Sequence, residues 1–122
     1  MSPILESVHV TIFRGENLLG CEYLTGKSDP YCSICPIRAE DLKRMRNYKL
    51  STYIVKRNLN PVWVDQHFVY GKDAVGKGEK YGFAIDVSGM AALRVTVKNK
   101  NSLRSVDMMG QVCSYTFILF KM

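Results

Sequence analysis

The sequence predicts an all-β fold, an antiparallel β-sandwich. Apolar residues recur with a period of two in short stretches, and Gly, Pro and Asn turns separate those stretches. At 122 residues, 47% of them hydrophobic, the chain supports one domain with a modest core and not a disordered segment. We treat residues 1–122 as a single unit with its core at about 6–120.

The first strand spans 8–13, with Val8, Val10 and Ile12 on one face and His9, Thr11 and Phe13 on the other. Gly15-Glu16-Asn17 ends it, and a long loop follows in which Gly20 and Gly26 allow sharp bends. Asp29-Pro30 starts a turn: the proline ring pushes Asp29 out of the helical region, and the Asp side chain is suited to cap its own turn. The strand at 31–37 sets Cys32 and Ile34 on one side, Tyr31, Ser33 and Cys35 on the other. Residues 39–46 suit a short helical turn, with Leu42 and Met45 three apart.

Two strands follow at 48–56 and 62–70, the second entered through the turn Leu59-Asn60-Pro61. Trp63 is expected in the core, with Val62 and Val64 on the opposite face. The polar, glycine-rich run 71–80 is expected to be a mobile loop. Strands at 83–87, 93–98 and 112–120 complete the chain, with a long loop at 99–109.

The net charge of +6 points to anionic partners: phospholipid headgroups, nucleic acid or acidic proteins. Apolar runs fall far short of a membrane span. Residues 1–6 carry no secretory pattern, so Cys21, Cys32, Cys35 and Cys113 are expected as reduced cytosolic thiols. Cys32 and Cys35 spell Cys-x-x-Cys, but on a strand that spacing puts them on opposite faces, which argues against zinc. Cys32 and Cys113 are read as small core hydrophobes. His9 and His67 have no nucleophile nearby in sequence, no acidic pair stands out, and Gly26-Lys27-Ser28 lacks the upstream glycine of a P-loop, so no enzyme is expected.

Three motifs stand in order: Ser28-Asp29-Pro30-Tyr31, Asn60-Pro61-Val62-Trp63 and Asp107-Met108-Met109-Gly110. In that order and spacing the chain resembles a C2 domain, a calcium- and lipid-binding β-sandwich family. The resemblance implies a Greek-key sandwich. A full C2 sandwich has eight strands, and the short run after Gly110 leaves the last strand or strands in question, so an open edge is expected to support dimerisation or a protein partner. His67 falls where the family usually places an aromatic, and Phe68 comes one residue late, which implies a bulge.

The resemblance also maps a calcium site. Its loop-one positions fall at Tyr23 and Asp29, and its loop-three positions at Asn99, Asn101 and Asp107, leaving two carboxylates of five. Calcium needs about six to eight oxygens and several carboxylates. With Lys27, Lys98 and Lys100 alongside, no calcium or other metal cofactor is expected, and Asp29 and Asp107 are read as turn caps.

The resemblance would gather Lys27, Lys56, Arg57, Lys98, Lys100 and Arg104 in three loops at one end, with Leu103 as an apolar tip. That combination suits an anionic phospholipid surface, each basic residue contributing about 1 kcal/mol near it. Positions matching the family's concave basic face, Ser33, Cys35, Ser51 and Tyr53, are not basic; Lys43, Arg44, Arg46 and Lys49 form a secondary patch in the adjoining turn, read first as a solvated basic turn. The expected function is calcium-independent targeting to anionic membranes, cytoplasmic and peripheral, within a trafficking or signalling protein. The alternative is a C2-type protein–protein scaffold without a lipid role. Nucleic acid is disfavoured, since aromatics and basics do not interleave on one face beyond Tyr48, Tyr53 and Tyr70 with Lys49 and Lys56.

Overall fold

The computed structural model describes residues 6–16, 18, 29–74, 76, 78 and 80–100, and the backbone of a strand at 114–120. Seven strands are described: β1 (Ser7–Thr11), β2 (Pro30–Arg38), β3 (Leu50–Ser51), β4 (His67–Gly71), β5 (Gly82–Phe83), β6 (Met90–Asn99) and β7 (Ser114–Phe120). They form two sheets, ordered β1-β4-β5 and β3-β2-β6-β7. The all-β sandwich expected from the turns and the alternation is therefore the observed architecture.

The alternation explains the core. Val10 from β1, Phe68 and Tyr70 from β4, Ile34 from β2, and Leu93 and Val95 from β6 point between the sheets, joined by Leu50, Val87 and Met90. Val8 and Ile12 pack against them, as their shared face requires. The buried Tyr70 hydroxyl donates to the Tyr48 carbonyl at 2.7 Å, so its polar end is satisfied. Trp63 is buried and its Nε1–H donates to the Tyr53 carbonyl at 2.8 Å, while Val62 and Val64 are exposed.

Several element boundaries differ from expectation, each for a local reason. Trp63 and Phe68 are both buried although an odd spacing separates them. Asp65 lies between with φ +57°, a left-handed residue that resets the alternation where a bulge was expected. The strand expected at 48–56 shrinks to Leu50–Ser51, and residues 46–48 form a 3-10 turn instead. The strand expected at 83–87 ends at Phe83 and gives way to a 3-10 turn at Val87–Gly89, where the Asp86 carboxylate accepts from the Ser88 N–H at 3.0 Å. β4 and β5 pair in parallel, Val69 against Gly82, so one pair departs from a purely antiparallel fold.

Residues 39–46 do not form the helical turn that the Leu42–Met45 spacing suggested. They make a tight reversal closed by Arg38 N–H to the Lys43 carbonyl and Leu42 N–H to the Arg38 carbonyl, both at 2.8 Å. Leu42 points out at 70% exposure with φ +59°, while Met45 turns in and packs on the core.

Candidate functional site

The long pairing of β2 with β6 builds the site. Its register sets Cys35 opposite Arg94, Ser33 opposite Thr96 and Tyr31 opposite Lys98. Partners in an antiparallel pair share a face. Ile34 and Val95, one residue along, face the core, so Ser33, Cys35, Arg94, Thr96 and Lys98 share the outer face of the sheet. The segment after the 39–43 reversal folds beside that face and adds Arg44, Arg46 and Lys49.

The result is a groove of about 430 Å³ lined by Ser33, Cys35, Arg44, Arg46, Lys49, Arg94, Thr96 and Lys98. Five of its residues are cations. None has an ion-pair partner among the described residues. Ser33 and Cys35 are nearly out of solvent. The Arg94 Nε atom is buried and makes no hydrogen bond among the described residues.

The charges feel each other. Burial, followed by the Lys49 and Arg44 charges, holds the Lys98 ammonium below the usual lysine range. Burial raises the Cys35 thiol, against the pull of Arg44, Lys49 and Arg94. An anion there would relieve repulsion among like charges.

The loop end is built differently. The Asp29 carboxylate reaches across to the segment between β3 and β4, where its Oδ1 accepts from the Arg57 N–H at 2.7 Å. The Asp29 N–H donates to the Asn99 side-chain oxygen at 2.9 Å, and the Asp29 carbonyl accepts from the Lys100 N–H at 3.1 Å. Asp29 and Asn99, both buried, thus tie the roots of three loops together. Exposed Lys56, Arg57 and Lys100 surround the clip.

The loop set is therefore only partly assembled as expected. Lys98 lies within β6 and lines the groove, so its assignment to loop three is corrected. Lys27, Leu103 and Arg104 lie outside the described residues, as do Tyr23, Asn101 and Asp107. The secondary patch is more than a solvated turn: Arg44, Arg46 and Lys49 enter the groove, and Lys43 lines the adjoining hollow with Ile37 and Leu42. Arg94 was missed. The alternation Leu93-Arg94-Val95-Thr96-Val97-Lys98 carried the signal, since it puts Arg94 and Lys98 on the face opposite Leu93 and Val95.

Cys32 and Cys35 take opposite faces, one beside the core and one in the groove, and both are free thiols. No described helix is long and apolar enough to cross a membrane.

The pattern of the C2 domain matches residues 6–115. Proteins from rat, mouse and human, each named multiple C2 and transmembrane domain-containing protein 1, are 30% identical to this chain over 106 residues, covering 86% of it. The chain spans about 8% of the length of those relatives. A C2 domain of plant extended synaptotagmin 1 superposes with a TM-score of 0.53 at 18% identity, over 94% of this chain and 68% of that one.

Proposed function

The chain belongs to the C2 domain family, and from that premise we propose that it is a peripheral membrane-targeting module that binds anionic phospholipid without calcium. One observation carries the proposal: Arg44, Arg46, Lys49, Arg94 and Lys98 converge on one groove without an acidic partner among the described residues. Phosphate oxygens are the natural complement of such a donor set. The exposed Lys56, Arg57 and Lys100 at the loop end are a second contact with the same leaflet, and Lys27, Leu103 and Arg104 join that contact in the proposal on the sequence resemblance alone. A trafficking or signalling role fits relatives named for C2 and transmembrane domains.

Co-sedimentation tests this with vesicles of phosphatidylcholine alone, and with added phosphatidylserine or phosphoinositide. Each is run in calcium and in chelator, at low and moderate salt. The expected result is binding to anionic vesicles only, equal in calcium and chelator and weaker in salt. Binding that needs calcium would sink the calcium-independent reading. No binding under any condition would leave the protein–protein scaffold as the working function.

A further inference from the structure

We propose that Leu42, at the tip of the reversal between β2 and β3, is a built-in membrane anchor that seats the basic groove against an anionic leaflet. The inference rests on the lipid-binding function proposed above and assigns it an insertion point away from loops one to three.

A lone exposed leucine ordinarily needs no explanation. Three observations set this one apart. First, Leu42 holds φ +59°, a left-handed conformation that side chains other than glycine rarely take. Second, the turn around it is over-determined. Besides its two backbone bonds, the Asp41 carboxylate accepts from the Lys43 N–H at 3.0 Å and from Arg38 Nη1 at 3.2 Å. The Asp41 carboxyl sits below the ordinary carboxylate range, mainly because of that Lys43 N–H. The leucine is thus presented on a fixed platform, and little conformational freedom is lost on docking.

Third, its surroundings suit one kind of partner. Lys43, Arg44, Arg46 and Arg94 line the hollow beside Leu42, and Arg44, Arg46 and Arg94 continue into the groove. Reading inward from the tip, an apolar side chain is followed by a layer of cations. An anionic leaflet presents the matching order: phosphates outside, hydrocarbon beneath. An acidic protein would match the cations but offers no reason for a strained, exposed leucine ahead of them.

The test uses the full chain and two probes: phosphatidylserine-containing vesicles, and soluble inositol hexakisphosphate, which reports the groove without a bilayer. Leu42→Ala is expected to weaken vesicle binding about tenfold, from the lost apolar burial, and to leave inositol hexakisphosphate binding within about twofold. Leu42→Trp is expected to show blue-shifted emission and quenching by brominated acyl chains, against a buried Trp63 background that those chains do not reach. Unchanged vesicle affinity in Leu42→Ala, or an unquenched Leu42→Trp, overturns the anchor while groove binding stands. Loss of inositol hexakisphosphate binding alone in Lys49→Glu, with vesicle binding still dependent on Leu42, would sustain the anchor and discard the groove as the vesicle-binding site. A wild-type chain that binds no vesicle overturns both.

Discussion

Arg94→Met separates a binding groove from a structural one. Arg94 is half-buried in the middle of β6, with its Nε lacking a hydrogen-bond partner among the described residues. A buried donor without a partner costs about 1–3 kcal/mol. Three other cations of the groove, Arg44, Lys49 and Lys98, act electrostatically on the same floor. Methionine keeps much of the volume and drops both the charge and the orphan donor. Replacing an uncompensated charge with an apolar side chain is neutral to stabilising. Stability is therefore expected to hold or to rise by about 1 kcal/mol, read as a urea midpoint at constant slope.

Binding should move the other way. A basic residue near an anionic surface contributes about 1 kcal/mol, so vesicle affinity should fall about fivefold. The salt dependence should also flatten, because one fewer charge is screened. Vesicle co-sedimentation across a salt series reads both quantities. If Arg94→Met costs more than about 1 kcal/mol of stability and leaves vesicle affinity within twofold, Arg94 is a packing residue and the groove is not the binding site.

Asn99→Ala removes the acceptor of the Asp29 N–H at 2.9 Å and should lower stability by about 1–3 kcal/mol in urea; a loss below about 0.5 kcal/mol would mean the loop clip is dispensable. Burial pushes the Cys32 thiol from 9.0 up to about 12, so the folded state holds its proton more tightly than the unfolded state. Its contribution is complete below about pH 9 and is lost as pH rises toward about 12; stability should fall by about 3 kcal/mol near pH 11, and a Cys32→Val variant should show a flatter alkaline limb. Leu42→Gly relieves a left-handed residue costing about 1–2 kcal/mol against a glycine entropy cost of about 0.5–1 kcal/mol, so thermal stability should rise slightly, and a clear drop would show that Leu42 packs in the folded state.

The sandwich was legible because β1, β2 and β6 alternate cleanly and face a single core. The same alternation names Val10, Ile34 and Val95 as inward residues. What was not legible depends on contacts that period and propensity do not encode. Leu42 and Met45 have helical spacing, yet closure of the 38–43 reversal throws one out and draws the other in. The sequence places Lys98 beside Asn99 at the mouth of a loop; the ladder through Tyr31–Lys98 and Pro30–Asn99 keeps it in the sheet. Arg94 was hidden among apolar neighbours, because only the β2–β6 register brings it alongside Lys98 and the distant Arg44, Arg46 and Lys49. Asp29 was readable as a turn residue, but not as the acceptor for a loop that lies 28 residues on.

The loop clip and the groove differ in their hydrogen-bonding balance, and that difference favours an anion in the groove over a cation at the clip. At the loop end, Asp29 Oδ1 and Asn99 Oδ1, which the sequence resemblance alone maps to a calcium site, both already accept from backbone N–H groups at 2.7 and 2.9 Å. A cation taking those oxygens would strip two partly or wholly buried N–H donors of their partners, an offsetting cost of about 1–3 kcal/mol each. It would do so among the exposed charges of Lys56, Arg57 and Lys100. In the groove the imbalance is reversed: five cations converge with no carboxylate lining it among the described residues. An anion there repairs a deficit, whereas a cation at the loop end creates one. That asymmetry favours the proposed reading, in which membrane affinity would depend on lipid charge and salt and not on a metal at the loop clip.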